Sequence, residues 1–352
     1  MNDKKLMNRA ADNIRILAVS MVEKARSGHP GGAMGGADFI NVFFSEFLVY
    51  DPDRPEWAGR DRFYLDPGHM SPMLYAALTL QRKFTVDDIR QFRQWGSVTP
   101  GHPERDLAHG IENSSGPLGQ GHAYAAGAAV AEKFLEARLG HTMMQHKIYA
   151  YISDGGIEEE VSQGVGRLAG HLGLHNFIMY YDANNIQLST KVDEVNTEDV
   201  AAKYRAWDWN VITIDGHSVE EIRRALREAH AETERPTLII GKTIMGRGAV
   251  DAEGRSFEDR VSTHGQPLSA AGADIDATIR HLGGDPAHPF AIFPESTELY
   301  GRRREALLAW YGARMEAEER FRREQPALAA KLDRFLSGNM PEIDYAAVEM
   351  KR

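Results

Sequence analysis

The sequence predicts an α/β protein in which a parallel sheet is covered by helices on both faces and is followed by a helical C-terminal extension. Two observations lead to this prediction. Short apolar runs alternate with longer amphipathic stretches through the middle of the chain, which is typical of strands alternating with helices. Most of these apolar runs are continuous, as is expected of strands buried on both faces.

The N-terminal third is predicted to be mostly helical. Helices are expected in "ADNIRILAVSMVEKARS", "ADFINVFFSEFLVY", "MSPMLYAALTLQRKF" and "VDDIRQFRQW", with one short strand in "RFYLD". Residues 100–121 are rich in Gly, Pro, His and Ser, which predicts a long irregular segment. Such segments in compact domains are usually functional.

The middle of the chain supplies the remaining strands of the predicted sheet. Four strands are predicted in "KIYAYIS", "NFIMYYD", "NVITID" and "PTLIIGKT". The helices predicted around them are "HAYAAGAAVAEKFLEARL", "EEEVSQGVGRLAGHLG", "TEDVAAKYRAW" and "SVEEIRRALREAHAE".

After about residue 270 only helical patterns remain. We therefore predict an α/β domain at residues 1–270, a helical extension packed on it at 271–338, and the start of an interdomain linker at 339–352.

Composition narrows the class of protein. The 352 residues are 42% hydrophobic and 26% charged, as in a soluble globular protein, and no apolar run is long enough to span a membrane. The absence of cysteine excludes disulfides, cysteine nucleophiles and thiolate metal sites. A net charge of −10 disfavours general nucleic-acid binding. The N-terminus lacks the apolar segment of a signal peptide, so a cytoplasmic location is expected.

Polar residues follow two predicted strands at their carboxyl ends, where ligands bind in parallel α/β sheets. Asp154 and Gly155 follow "KIYAYIS", and Asn184 lies 30 residues after Asp154, one strand–helix–strand unit further on. Asp and Asn oxygens suit Mg²⁺ or Ca²⁺, and a glycine lets a phosphate approach the backbone at the start of a helix. The alternative, that these are ordinary turn residues, stays open from the local sequence.

Four histidines stand beside glycine or proline, in "SGHPGG", "DPGHMSP", "TPGHPE" and "STHGQP". These settings place His29, His69, His102 and His264 on loops, where an imidazole can face a ligand. Each alone could be a surface histidine. Together, beside a metal and phosphate site, they indicate proton transfer and hydroxyl recognition.

Longer motifs carry a family resemblance over nearly the whole chain. The sequence resembles the N-terminal half of transketolase, a thiamine diphosphate enzyme, in "SGHPGGAMGGAD", "RDRFYLDPGHMSPMLYAAL", "FRQWGSVTPGHPE", "ENSSGPLGQGHAYAAGAAVAEK", "SDGGIEEE", "YDANNIQL", "KTIMGRGA" and "STHGQPLS". The Asp-Gly to Asn pairing is shared by thiamine enzymes generally, whereas the histidines and "GPLGQG" are specific to the transketolase group.

The resemblance implies a role for each matching residue. Asp154, Asn184 and the carbonyl of Ile186 are expected to hold Mg²⁺, for which Ca²⁺ or Mn²⁺ can substitute. His29, His102 and His264 are expected to be the catalytic residues facing the sugar. The expected cofactor contacts are His69, Gly116, Leu118, Gly155, Asn184, Leu188 and His264.

The implied reaction is transfer of a two-carbon ketol unit from a ketose phosphate to an aldose phosphate, as in the pentose phosphate pathway. A complete transketolase carries a second α/β domain that binds the aminopyrimidine of the cofactor. We therefore expect an N-terminal subunit of a split transketolase, acting with a C-terminal subunit in an α2β2 assembly.

Three alternatives remain open at this point. The first is a transketolase for an unusual sugar, such as a sulfonated one. The second is the α subunit of a 2-oxo acid dehydrogenase, which the loops around His29 and His102 disfavour. The third is a non-catalytic cofactor-binding subunit.

Overall fold

A five-stranded, all-parallel sheet lies at the centre of the computed structural model, which describes residues 2–140, 146–339, 342 and 344–347. The strands lie in the order β1-β2-β3-β5-β4. The five predicted strands and their parallel arrangement are therefore confirmed. Their bounds are β1 Arg62–Leu65, β2 Ile148–Ser153, β3 Phe177–Ala183, β4 Asn210–Asp215 and β5 Thr237–Lys242.

Helices cover both faces of the sheet, as predicted. One face packs against a core that includes Phe39 and Leu74, and the other against one that includes Ala125 and Ala169. The helices among the described residues are α1 Lys4–Ala25, α2 Pro30–Gly35, α3 Ala37–Val42, α4 Ser71–Leu80, α5 Val86–Arg90, α6 Gln120–Leu139, α7 Asp154–Glu158, α8 Glu160–His171, α9 Val200–Ala206, α10 Val219–Ala231, α11 Leu268–Ala271, α12 Ile275–His281, α13 Pro294–Glu324 and α14 Pro326–Leu336.

Strand register brings the ends of the central strands together. Ser153, the last residue of β2, pairs with Asp182 on β3, and Ala183 on β3 pairs with Lys242 at the end of β5. Because the strands are parallel, the segments that follow them leave the sheet at one edge. This edge is where the sequence predicts the functional site.

The helix predicted after β2 begins earlier than expected and is broken. It starts at Asp154 as α7, stops at Glu159, whose backbone is extended, and restarts as α8. The Oγ of Ser162 donates to the carbonyl of Gly156 at 2.7 Å, and the Nε2 of Gln163 donates to that of Ile157 at 2.7 Å. These side chains satisfy carbonyls that a continuous helix would have bonded, so the break costs little.

Two other helices differ from the predictions. The helix expected over residues 37–50 is α-helical only to Val42 and continues as a wider π-helical turn, Phe43–Phe47. The helix expected over residues 86–95 ends at Arg90, and Arg93 lies in the left-handed backbone region.

The described residues after about residue 270 form only helices and loops, as expected, and α13 is the longest of these helices. The hydroxyl of Tyr300 donates to Asn41 Oδ1 at 3.1 Å, which ties α13 to the α/β core. A small apolar cluster joins Leu268 to Ile279, so packing crosses the predicted domain boundary near residue 270. That boundary stays a prediction, and most of the predicted linker at 339–352 lies outside the described residues. No helix in the described part of the chain is long and apolar enough to cross a membrane.

Close packing of α8 gives a testable consequence. A Cβ at Gly170 would lie 1.7 Å from the carbonyl oxygen of Trp207, whereas a Cβ at Gly164 on the same helix would meet nothing within 4 Å. We predict that Gly170→Ala lowers the free energy of unfolding by about 2–3 kcal/mol, because backbone must move to relieve the clash. Gly164→Ala is the matched control and should raise the free energy of unfolding by about 0.5–1 kcal/mol.

Chemical denaturation of both variants at neutral pH tests this pair. Equal stability of the two variants would show that α8 does not pack against Trp207 as described.

Candidate active site

A cleft of about 750 Å³ lies at the carboxyl edge of the sheet. Its walls come from the segments that follow β1, β2, β3 and β5, together with the start of α2. Ten of the eleven residues that the sequence singles out line it. They are His29, His69, His102, Gly116, Leu118, Gly155, Asn184, Ile186, Leu188 and His264.

Three of the predicted histidines form a compact group. His29 immediately precedes α2, His69 lies in a 3₁₀ turn after β1, and His264 follows a second 3₁₀ turn. The ring centroids are 4.9 Å apart for His29 and His69, 5.3 Å for His69 and His264, and 5.7 Å for His29 and His264. His102 lines the same cleft but is exposed.

These imidazoles are neutral at neutral pH. Burial lowers the pKa of His29 to about 4, and the nearby His264 and Arg93 add to the effect. Burial also lowers the pKa of His264 and brings that of His69 well below its usual value. A neutral imidazole has one N–H donor and one acceptor nitrogen, so it can bond a hydroxyl in either direction. The buried Nδ1 atoms of His29 and His264 have no hydrogen-bond partner within the protein, which leaves them available for a ligand.

Asp154 joins the ends of two strands beside this cleft. Its Oδ2 accepts hydrogen bonds from the backbone amides of Asn184 and Asn185, each at 3.1 Å. Its Oδ1 accepts from the hydroxyl of Tyr181 at 2.5 Å. The side chain is 3% exposed and lines a neighbouring cavity of about 370 Å³, not the cleft itself.

The protonation of this carboxyl reflects its burial. Burial raises the pKa of Asp154 to about 7, the bond from Tyr181 opposes the rise, and the charge of Asp182 adds to it. A cation beside the carboxylate would favour its charged form.

The other predicted metal ligands are fixed next to Asp154. The Oδ1 of Asn184 accepts a hydrogen bond from the amide of Ile186 at 3.0 Å, so the turn after β3 holds the amide side chain in place. Among the described residues, no three His, Asp or Glu side chains form a group that could hold a metal. The predicted set differs from such groups because it combines one carboxylate with an amide oxygen and a carbonyl, which are ligands that Mg²⁺ and Ca²⁺ accept.

The glycines of the cleft keep space open for a ligand. A Cβ at Gly155 would lie 3.1 Å from Leu118 Cδ1 and would narrow the passage between them, and a Cβ at Gly116 would meet nothing within 4 Å. Leu188 is 69% exposed and presents an apolar surface at the cleft. The partnerless histidine nitrogens and the glycine-lined passage fit a ligand with an anionic group and an apolar ring.

Tyr181 and Met245 are contributors to the site that sequence reasoning missed. Tyr181 donates to Asp154, and strand register would have found it, because Ile152 pairs with Tyr181 just before Asp154. Met245 lines the cleft in the segment after β5, where no local signal marks it.

The fold and cleft define a parallel α/β protein with a ligand site at the carboxyl edge of its sheet. The family model described as "Transketolase, thiamine diphosphate binding domain" matches residues 6–341, and the chain belongs to the transketolase family. It is 39% identical over 343 residues to a transketolase of Geobacillus stearothermophilus, covering 95% of this chain and 50% of that protein.

Solved structures agree with this assignment. A transketolase from Leishmania mexicana superposes with a TM-score of 0.89 at 32% identity, over 98% of this chain and 51% of that one. A Pichia stipitis transketolase in complex with sedoheptulose-7-phosphate gives the same TM-score and identity, over 96% of this chain and 50% of that one. The chain thus spans about half the length of the relatives it matches.

The contacts of Asp154 predict a stability effect that is separate from ligand binding. Asp154→Ala leaves the Tyr181 hydroxyl and two backbone amides without their acceptor, so we expect a loss of about 3 kcal/mol or more in the free energy of unfolding. Asp154→Asn keeps one acceptor oxygen, so its free energy of unfolding should fall by less. Chemical denaturation of the two ligand-free variants tests which is less stable. Equal losses of stability in both variants would contradict the prediction.

Burial of the histidines predicts that the stability of the folded chain depends on pH. His29 remains neutral in the folded chain down to about pH 4, whereas the unfolded chain protonates it near its ordinary pKa of 6.5. The unfolded state therefore binds more protons in this window, and stability falls as the pH falls from about 6.5 to about 4. His29→Asn removes this contribution.

The midpoint of thermal unfolding, measured at pH 7 and pH 5, checks the effect of His29. The drop on acidification should be smaller in His29→Asn than in the wild type. His69 and His264 retain their share of the drop in the variant, so it should not vanish. An identical drop in both proteins would show that His29 is not held neutral.

Proposed function

We propose that this chain is the thiamine diphosphate-binding half of a transketolase. Together with a C-terminal half, it transfers a two-carbon ketol unit from a ketose phosphate to an aldose phosphate. The observation that carries the proposal is the convergence of ten implied site residues on one cleft at the carboxyl edge of the sheet. Family membership favours this reaction over that of a 2-oxo acid dehydrogenase α subunit.

In this proposal, the ends of β2 and β3 hold the metal and the diphosphate. Asp154, Asn184 and the carbonyl of Ile186 bind Mg²⁺, for which Ca²⁺ or Mn²⁺ can substitute. Gly155 allows the diphosphate to approach the backbone, and His69 and His264 donate to its oxygens. Gly116, Leu118 and Leu188 flank the cofactor rings. Bound thiamine diphosphate supplies the electron sink for breaking the C2–C3 bond of the ketose.

In this proposal, the histidines bind the hydroxyl groups of the sugar and exchange protons with them. His29 and His264 have partnerless Nδ1 atoms in the cleft and are neutral, so each can bond a sugar hydroxyl and take or return its proton. The exposed His102 can contact a substrate that is only partly inside. Since the imidazoles are uncharged, they add no fixed positive charge beside the sugar.

The rest of the active site is proposed to come from a C-terminal half that binds the aminopyrimidine. We propose that this half is a separate subunit in an α2β2 assembly and that the pair acts on sugar phosphates of the pentose phosphate pathway. The need for a C-terminal half is supported by the relatives, of whose length the chain spans about half. Sugar phosphates are supported by the relative that was solved in complex with sedoheptulose-7-phosphate.

Metal-dependent cofactor binding tests the proposal. Isothermal titration of the chain with thiamine diphosphate should show binding with Mg²⁺ and little without it. Asp154→Asn should weaken binding at least about tenfold, because it removes the charge that faces the cation. Gly164→Ala, whose Cβ points into open space, is the control and should bind like the wild type.

An activity assay then separates the proposed half-enzyme from a complete one. The chain with its C-terminal half should transfer ketol units, and the chain alone should not. Binding that is indifferent to Mg²⁺, or ketol transfer by the chain alone, would refute the corresponding part of the proposal.

A further inference from the structure

A chain of polar side chains outside the cleft ties three helices to the segments that follow β4 and β5. The Nε of Arg15 on α1 donates to the carbonyl of Met34 on α2 at 3.1 Å, and its Nη2 is paired with Asp38 on α3. The Nδ1 of His217, which follows β4, lies 2.7 Å from Asp38 Oδ2. The amide of Ile244, which follows β5, donates to the Nε2 of His217 at 3.0 Å.

These contacts allow one form of the His217 ring. Nε2 accepts a hydrogen bond from the Ile244 amide, so it carries the lone pair and not a proton. The ring proton is therefore on Nδ1 and is donated to Asp38. Although burial opposes it, the charge of Arg15 and the bond from His217 hold the pKa of Asp38 below its usual value, so the acceptor is a carboxylate.

Ile244, which His217 holds, is adjacent to the wall of the cleft. Met245, next to Ile244, lines the cleft, and the amide of Gly246 donates to the carbonyl of Gly31 on α2 at 2.9 Å. There is no spare room at this contact. A Cβ at Gly31 would lie 2.4 Å from Met245 Sδ and 2.6 Å from the carbonyl oxygen of Thr263.

The packing links this wall to two of the cleft histidines. His29 is the residue before α2, and His264 directly follows Thr263. A Cβ at Gly35, at the other end of α2, would lie 2.9 Å from the carbonyl oxygen of Ile244. Helix α2 is therefore fitted between the segment that His217 anchors and the segment that carries His264.

We propose that His217 is a positioning residue of the cleft: by accepting the Ile244 amide and donating to Asp38, it fixes α2 and thereby sets His29 against His264. His217 does not line the cleft itself. The inference rests on the proposed function for the role of the cleft, and its structural test does not depend on that function.

Two substitutions at His217 test its two hydrogen bonds separately, because each variant keeps only one of them. In His217→Gln the amide oxygen can occupy the place of Nε2 and accept from Ile244. In His217→Asn the shorter amide can donate to Asp38 but cannot reach Ile244. His230→Gln is the control, because His230 bonds the hydroxyl of Tyr149 near the start of β2 and lies outside the cleft.

Amide hydrogen exchange and ¹⁵N NMR of the histidine rings, on the chain as it is, provide the readouts. Wild-type His217 should show an unprotonated Nε2. In His217→Asn, exchange at Ile244 and Gly246 should rise about tenfold, and the ring signals of His29 and His264 should shift. His217→Gln should restore both readouts, and His230→Gln should leave both unchanged.

A protonated Nε2 in the wild type, or unshifted His29 and His264 signals in His217→Asn, would overturn the inference. If His217→Asn does not fold, the wild-type tautomer and the exchange in His217→Gln still decide it. Calorimetry with thiamine diphosphate and Mg²⁺ keeps the two proposals apart. Absence of binding by the wild type would count against the proposed function alone, since the exchange and NMR results do not require a cofactor.

Discussion

The carboxylate of Asp154 bonds to the turn after the neighbouring strand, and the metal side of the cleft is arranged around that contact. Two backbone amides and a tyrosine hydroxyl converge on a group that is 3% exposed. Asn185 supplies one of these amides from the left-handed backbone region, which asparagine tolerates better than most residues. The turn that results brings the amide of Ile186 to Asn184 Oδ1. Parallel strand pairing therefore fixes the candidate metal ligands before any ligand binds.

The opposite side of the cleft is set by packing instead of strand pairing. Helix α2 approaches its neighbours so closely that Gly31 and Gly35 could carry no side chain without a clash. The same closeness brings three imidazoles within 6 Å of one another, where burial and mutual repulsion keep them uncharged. A loosely packed helix would let water reach these rings and restore their ordinary pKa values.

The sheet and its carboxyl-edge polar residues could be predicted from the sequence because their signals are local. Apolar runs mark each strand, and Asp154 and Asn184 stand directly after two of them. The convergence of the histidines could not be predicted from spacing, since 235 residues separate His29 from His264 (264 − 29). Family resemblance suggested it. The break at Glu159 was missed because it depends on carbonyl bonds from side chains in the next helix.

The two sides of the cleft differ in how they resist change. On the metal side several hydrogen bonds share one acceptor, so the loss of Asp154 disturbs both strands at once. On the histidine side α2 meets its neighbours through glycines: Gly31 faces Met245 and the carbonyl of Thr263, and Gly35 faces the carbonyl of Ile244. A glycine contact cannot compensate for a displaced neighbour, because there is no side chain to rotate into the gap. The position of α2 therefore depends on the polar residues at its border, of which His217 bonds the amide of Ile244, the neighbour of the cleft residue Met245.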